Sequence, residues 1–142
     1  MPGAMAPLLT AAQLTHHLHA SFPGRPTEDR MAVEELADDR IRIRLRVGEG
    51  DLRPGATVSG PTIFTLVDTV AWLLTLAHLG PGRDAVTQSC SISYLRRPAL
   101  ADLVGEGRLL KLGRRTSVTD VVVFSDGRDE PIAQATVTYA PV

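Results

Sequence analysis

The sequence predicts an α+β fold in which a curved antiparallel β-sheet wraps around one long central α-helix, with a short helix at the N-terminus. Three observations carry this. Pro61 to about Leu79 is a helix-length apolar run in which Asp68 is the sole Asp, Glu, Lys or Arg. Strand-like runs lie on either side of it, two before and four after, joined by short turns that favour antiparallel pairing. One helix cannot cover both faces of so many strands, and an apolar rod needs burial on several sides, so the sheet has to curve around it.

In chain order, residues 1–9, with Pro2, Gly3 and Pro7, predict a disordered start, and 10–142 form a single domain. Thr10 is placed to cap a short helix from Ala11 to about Phe22, with Leu14 and Leu18 one turn apart on its apolar stripe. Pro23-Gly24-Arg25-Pro26 ends it. A strand-like run near Met31–Leu36 and a turn at Asp38-Asp39 lead into 41–47, where apolar residues alternate with Arg42, Arg44 and Arg46. That alternation gives a strand one dry and one wet face. Gly48 to Gly60 is a Gly- and Pro-containing loop. Ser59-Gly60-Pro61 then opens the long helix: Pro suits the first turn, and Gly lets another molecule approach the backbone. Gly80-Pro81-Gly82 closes it. Strand runs follow at about 85–95, 102–112, 116–124 and 132–139. Their separators, Arg97-Pro98, Gly113-Arg114-Arg115 and Ser125-Asp126-Gly127-Arg128, carry turn chemistry.

Composition narrows the function classes. The 142 residues carry a net charge of −1, so no basic excess points to nucleic acid or an anionic membrane. Asp68 and the threonines of the long helix argue against a membrane span. A single cysteine, Cys90, excludes an intrachain disulfide. With no secretory pattern at the start, a reducing, cytoplasmic location is expected.

Asp68 is the leading candidate for chemistry, because a carboxylate amid apolar residues is costly unless it is paired or used. On a helix Thr65, Asp68, Trp72 and Thr75 share a semi-polar stripe. An ionised Asp68 can attack a carbonyl or take a proton from water, and the backbone N–H groups at the helix start can stabilise negative charge developing on the carbonyl oxygen. The bland reading, in which Asp68 merely ties the helix to a strand or a partner subunit, has equal standing on composition alone. His16, His17 and His19 lack a third ligand at metal spacing, so no metal site is expected. Packing is the default for Cys90, and His78 is placed to meet the last helical carbonyls.

The segment Pro54-Gly55-Ala56-Thr57-Val58-Ser59-Gly60-Pro61, followed by Leu66-Val67-Asp68, resembles the phenylacetic-acid-degradation (PaaI-like) acyl-CoA thioesterases. The run from Ala85 to Ala99, Leu112-Gly113-Arg114-Arg115 and the closing 132–139 extend the resemblance over about residues 30–142. It implies a hot-dog fold, a homodimer that can pair again into a tetramer, and a site at the subunit boundary. In that site Asp68 is nucleophile or general base, the Gly60 N–H polarises the thioester carbonyl, and Thr87, supplied by the partner subunit, positions water. Ser59, Pro61, Arg53, Thr65 and Trp72 would flank the substrate. Arg114 and Arg115, with Arg96 and Arg97, suit the phosphates of coenzyme A. No cofactor is implied beyond the coenzyme A thioester itself. The chain has Ser59-Gly60-Pro61 where many members have His-Gly-Gly, and Arg53 where members that hold the acid with an Asn carry that residue. A cation at 53 would pair with Asp68. These departures support an alternative, a non-catalytic protein that binds acyl-CoA or a lipid-like ligand. A third reading is an assembly module.

Overall fold

The computed structural model describes residues 5–22 and 30–142. The chain runs α1 (Ala11–Ser21), β1 (Met31–Ala37), β2 (Arg40–Leu45), a short 3-10 turn at Glu49–Asp51, β3 (Leu52–Arg53), β4 (Thr57–Val58), α2 (Gly60–Leu79), β5 (Ala85–Tyr94), β6 (Leu103–Leu112), β7 (Ser117–Ser125) and β8 (Pro131–Pro141). Six strands form one antiparallel sheet in the order β1-β2-β6-β7-β8-β5, and β3 pairs with β4 in a small ribbon beside it. This is the hot-dog architecture. The breaker Pro23–Pro26 lies outside the described residues.

Burial follows the sequence pattern. In β2, Ile41, Ile43 and Leu45 face the core, while Arg42 and Arg44 lie on the outer face. There they pair with Glu34, Glu106, Asp102 and Asp126. Such exposed pairs contribute little stability individually. α2 buries Ile63, Leu66, Val67, Val70, Leu73, Leu74 and Ala77 against the concave face of the sheet. By length and composition it could cross a membrane, yet 67% of its most apolar stretch is buried inside the protein. It is therefore the core rod that the sheet encloses.

Two glycines let the rod lie close. A Cβ on Gly107 would stand 2.6 Å from Val70 Cγ1, and one on Gly105 2.9 Å from Val70 Cγ2. β6 thus presents a smooth floor into which Val70 and Leu66 settle.

The helix ends are fixed separately. Thr10 and Gln13 form a reciprocal cap on α1. At the far end of α2, His78 is buried, with Nδ1 3.0 Å from Leu74 O and Nε2 2.9 Å from Met5 O. Met5 also exchanges hydrogen bonds with Asp39, and Leu8 N–H donates to Ala77 O. Where the sequence suggested a disordered start, the segment from Met5 to Leu9 is thus laid against the body.

One face of α2 is left uncovered by the chain's own sheet. Phe64 and Thr65 are exposed and Asp68, Thr69 and Trp72 half-buried, at the three-and-one spacing of a single helical stripe. Beside it runs β5, an edge strand whose Val86 and Tyr94 are 52% and 51% exposed.

Candidate active site

Asp68 sits on that uncovered stripe, half-buried. Thr87 Oγ1 donates to its Oδ1 at 3.0 Å, and Tyr139 OH donates to the same oxygen at 2.6 Å. Among the described residues nothing hydrogen-bonds Oδ2, and no cation pairs with the carboxylate. A cavity of about 340 Å³ opens beside it, lined by Phe22, Thr69, Trp72, Val86, Thr87 and Tyr139. Trp72 forms a wall of this cavity, its ring against His17 at 5.3 Å and Phe22 at 6.0 Å, with Nε1 donating to Asp84 Oδ1 at 3.4 Å.

The entrance of α2 is a second constellation. Asp51 is 3% exposed and is held by Arg30 on both oxygens, by Gly48 N–H at 2.8 Å and by Thr62 Oγ1 at 3.1 Å. Burial works against its charge, but the Arg30 guanidinium and the Gly48 N–H outweigh it and hold the carboxyl below its ordinary range. Thr62 in turn accepts from Ser59 Oγ, and Ser59 Oγ caps Thr62 N–H. Pro61 has no N–H and Ile63 N–H goes to Ser59 O. In this first turn, the N–H left without a partner among the described residues is that of Gly60. It borders a cavity of about 570 Å³ whose lining includes Arg53, Ile63, Tyr94, Arg96 and Arg97. Tyr94 OH donates to Gly60 O at 3.2 Å.

The structure sorts the sequence candidates. Asp68, Thr87 and Trp72 come together at one cavity. Gly60, Pro61, Ser59 and Arg53 come together at the other end of the stripe. Eight residues of helix separate Gly60 from Asp68, about 12 Å along the axis. Ser59 is occupied as a cap. Arg53 makes no ion pair with Asp68, contrary to expectation, because β3 holds it beside the helix entrance and not alongside the acid. Thr87 reaches Asp68 from within the same chain, a correction to the expectation that a partner subunit supplies it. The pairing of β5 with β8, register-shifted between Thr87 and Ser89, sets Thr87 opposite Tyr139.

Thr65 bonds back to Pro61 O at 2.9 Å and faces outward, whereas Thr75 turns into the core and shares a hydrogen bond with Ser117 at 3.0 Å. The predicted four-residue stripe is therefore broken at Thr75. Arg114 and Arg115 are exposed on the β6–β7 turn, next to Ser117. That turn lies level with Thr75, some 22 Å along the helix from Gly60, so the chain does not bring them to the Gly60 cavity. Tyr139 escaped sequence reasoning. Its contact depends on strand order, and the one available signal was a tyrosine at an inward position of an apolar strand. Among the described residues no group of three or more His, Cys, Asp or Glu is placed to hold a metal ion.

The family model of the thioesterase superfamily matches residues 55–132. A candidate thioesterase from Silicibacter sp. is 40% identical over 98% of this chain and 96% of its own, with a TM-score of 0.89. The chain therefore belongs to the thioesterase superfamily. A hypothetical thioesterase of Streptococcus pneumoniae, solved with coenzyme A, is 28% identical over 80% of this chain and 90% of its own, TM-score 0.69. A Streptococcus mutans protein bound to acetyl-CoA is 27% identical over 85% of this chain and 95% of its own, TM-score 0.71. No curated protein matches.

Proposed function

We propose that the protein is a PaaI-like thioesterase that hydrolyses acyl-CoA-like thioesters to a carboxylic acid and coenzyme A, acting as a cytoplasmic homodimer. The observation that carries this is the state of Asp68: a carboxylate that lines a cavity, with Oδ1 held by two hydroxyls and Oδ2 without a hydrogen-bond partner among the described residues. Oδ2 either takes a proton from water as the water oxygen bonds to the acyl carbon, or bonds to that carbon itself and is later released by water. In both routes the carbonyl oxygen takes on negative charge, and the free Gly60 N–H is the donor suited to it. Collapse of the tetrahedral species breaks the C–S bond and releases coenzyme A as thiolate, which picks up a proton.

Spacing bears on assembly. Within one chain Gly60 and Asp68 are about 12 Å apart on the helix axis and cannot serve one carbonyl. A second copy docked two-fold on the uncovered stripe of α2 and the β5 edge would bring its helix entrance to Asp68, and would cover Phe64 and Val86. Each site would then combine Asp68 and Thr87 of one protomer with Gly60 of the other. Arg53, Arg96 and Arg97 around the Gly60 cavity suit the phosphates of coenzyme A, as guanidinium forks do. The streptococcal neighbours solved with coenzyme A and acetyl-CoA support the substrate class. The free, half-buried thiol of Cys90 fits a reducing compartment.

Turnover of a panel of acyl-CoA esters by wild type and Asp68→Asn, with thiol release as the readout, tests the reading; equal rates remove Asp68 from the reaction. Light scattering tests the dimer. One observation favours a second reading, ligand binding without cleavage: Ser59, standing where many members carry His, is used up as a helix cap. Calorimetric binding of acyl-CoA with no thiol release on long incubation would select it.

A further inference from the structure

Thr87 and Tyr139 lie directly opposite each other across the β5–β8 ladder. Side chains so placed share a face of the sheet and stand about 5 Å apart. Here both hydroxyls converge on a single oxygen of Asp68, at 3.0 and 2.6 Å. Tyr139 OH also lies 3.2 Å from the backbone carbonyl of Asp68, so it is referenced to the helix as well as to the carboxylate. The Tyr139 residue is 4% exposed and belongs to the hydrophobic core, so packing and not solvent sets where the hydroxyl points.

We infer that Tyr139 is a positioning residue for the reacting carboxylate: its hydroxyl clamps Oδ1 of Asp68 and turns Oδ2 into the cavity as the oxygen that works on substrate. The inference rests on the thioesterase reading above. A carboxylate held by one threonine on an exposed edge strand swings about its last bond. A second donor, delivered by a rigid buried ring to the same oxygen, fixes the plane. An O–H donor also favours the charged carboxylate that a nucleophile or base must be. Burial, and then the hydrogen bond to Asp68, push the Tyr139 phenol far above its ordinary range, so it remains a donor throughout the working pH range. Among the described residues, the other groups around Asp68 are Cys90 from β5, Asp84 from the segment before it, Trp72 from α2, Ser21 from α1 and Phe22 just after it. None of these is a cation, so the two hydroxyls are what holds the carboxylate in place.

Tyr139→Phe removes the hydroxyl and keeps the ring. The clamp predicts that kcat falls about tenfold while KM stays within about twofold, because substrate binding does not use Oδ1. Wild-type kcat would overturn the inference and leave the hydroxyl as core packing. Should wild type turn over no acyl-CoA, the thioesterase reading fails separately, and the clamp is read from a crystal structure of Tyr139→Phe. An Asp68 carboxylate turned or split between orientations supports the clamp, and one superimposed on the wild-type carboxylate refutes it. If Tyr139→Phe does not fold, 3-fluorotyrosine at position 139 serves instead. As the stronger donor, it must change kcat with KM held within about twofold, and an unchanged kcat counts against the clamp.

Discussion

Asp51, buried at the entrance of α2, and Asp68, half-buried within α2, have opposite surroundings. Asp51 is saturated: a guanidinium, a backbone N–H and a hydroxyl occupy its two oxygens. Asp68 has no counter-charge among the described residues, two hydroxyls on one oxygen, and a cavity beside it. On the proposed function, the contrast separates a carboxylate spent on holding the fold from one kept available for chemistry. On that reading burial alone is a poor guide, since the more buried of the two is the one whose oxygens are taken up by the fold.

The largest test of this contrast is Asp68→Asn. It should lower kcat by about a thousandfold or more while leaving the thermal midpoint within about 3 °C, because no ion pair is lost. Acyl-CoA turnover and calorimetry on the same sample decide it. Asp51→Ala should do the reverse. It strands Arg30, Gly48 N–H and Thr62, and should cost about 3 kcal/mol, or roughly 10 °C in midpoint. An Asp51→Ala protein as stable as wild type would break the comparison. Gly60→Ala comes next. Its Cβ would meet the Tyr94 ring at 3.7 Å, an ordinary contact, so the fold should hold. Crowding of the approaching carbonyl should lower kcat/KM about tenfold. Thr75→Val sharpens the division within α2: it should cost about 1 kcal/mol through the orphaned Ser117 hydroxyl and leave kcat unchanged.

The smallest effect is in pH. The Asp51 carboxyl titrates lower in the folded state than in the unfolded chain. Its contribution is therefore complete above the unfolded value, about pH 3.9, and is lost as pH falls through the folded one. Midpoints measured from pH 5 to 3 should drop more steeply for wild type than for Asp51→Asn.

The long helix, its start at Pro61 and the dry face of β2 were legible because each is a local pattern: an apolar run, a turn signal, an alternation. Asp68 was legible for the same reason, as a single charge in an apolar run. Asp51 was not, because it sits in a Gly- and Pro-containing loop where a carboxylate looks solvated, and its partner Arg30 comes from before β1. The two-residue strands β3 and β4 are too short to carry a period. Tyr139 and the same-chain origin of Thr87 depend on β5 lying beside β8, an order that strand patterns leave open. Thr75 fell on the wrong side of its stripe because helical spacing alone does not say how far around the rod the sheet reaches.

The notches at Gly105 and Gly107 have a reach beyond packing. Each residue of a helix advances about 100° around its axis. By accepting Leu66 and Val70, the two notches index the azimuth of the rod as teeth index a shaft. The bearing of Asp68 toward its cavity is thus set from the opposite wall of the barrel. A methyl group added there would push on Leu66 and Val70 and turn the acid away from that cavity.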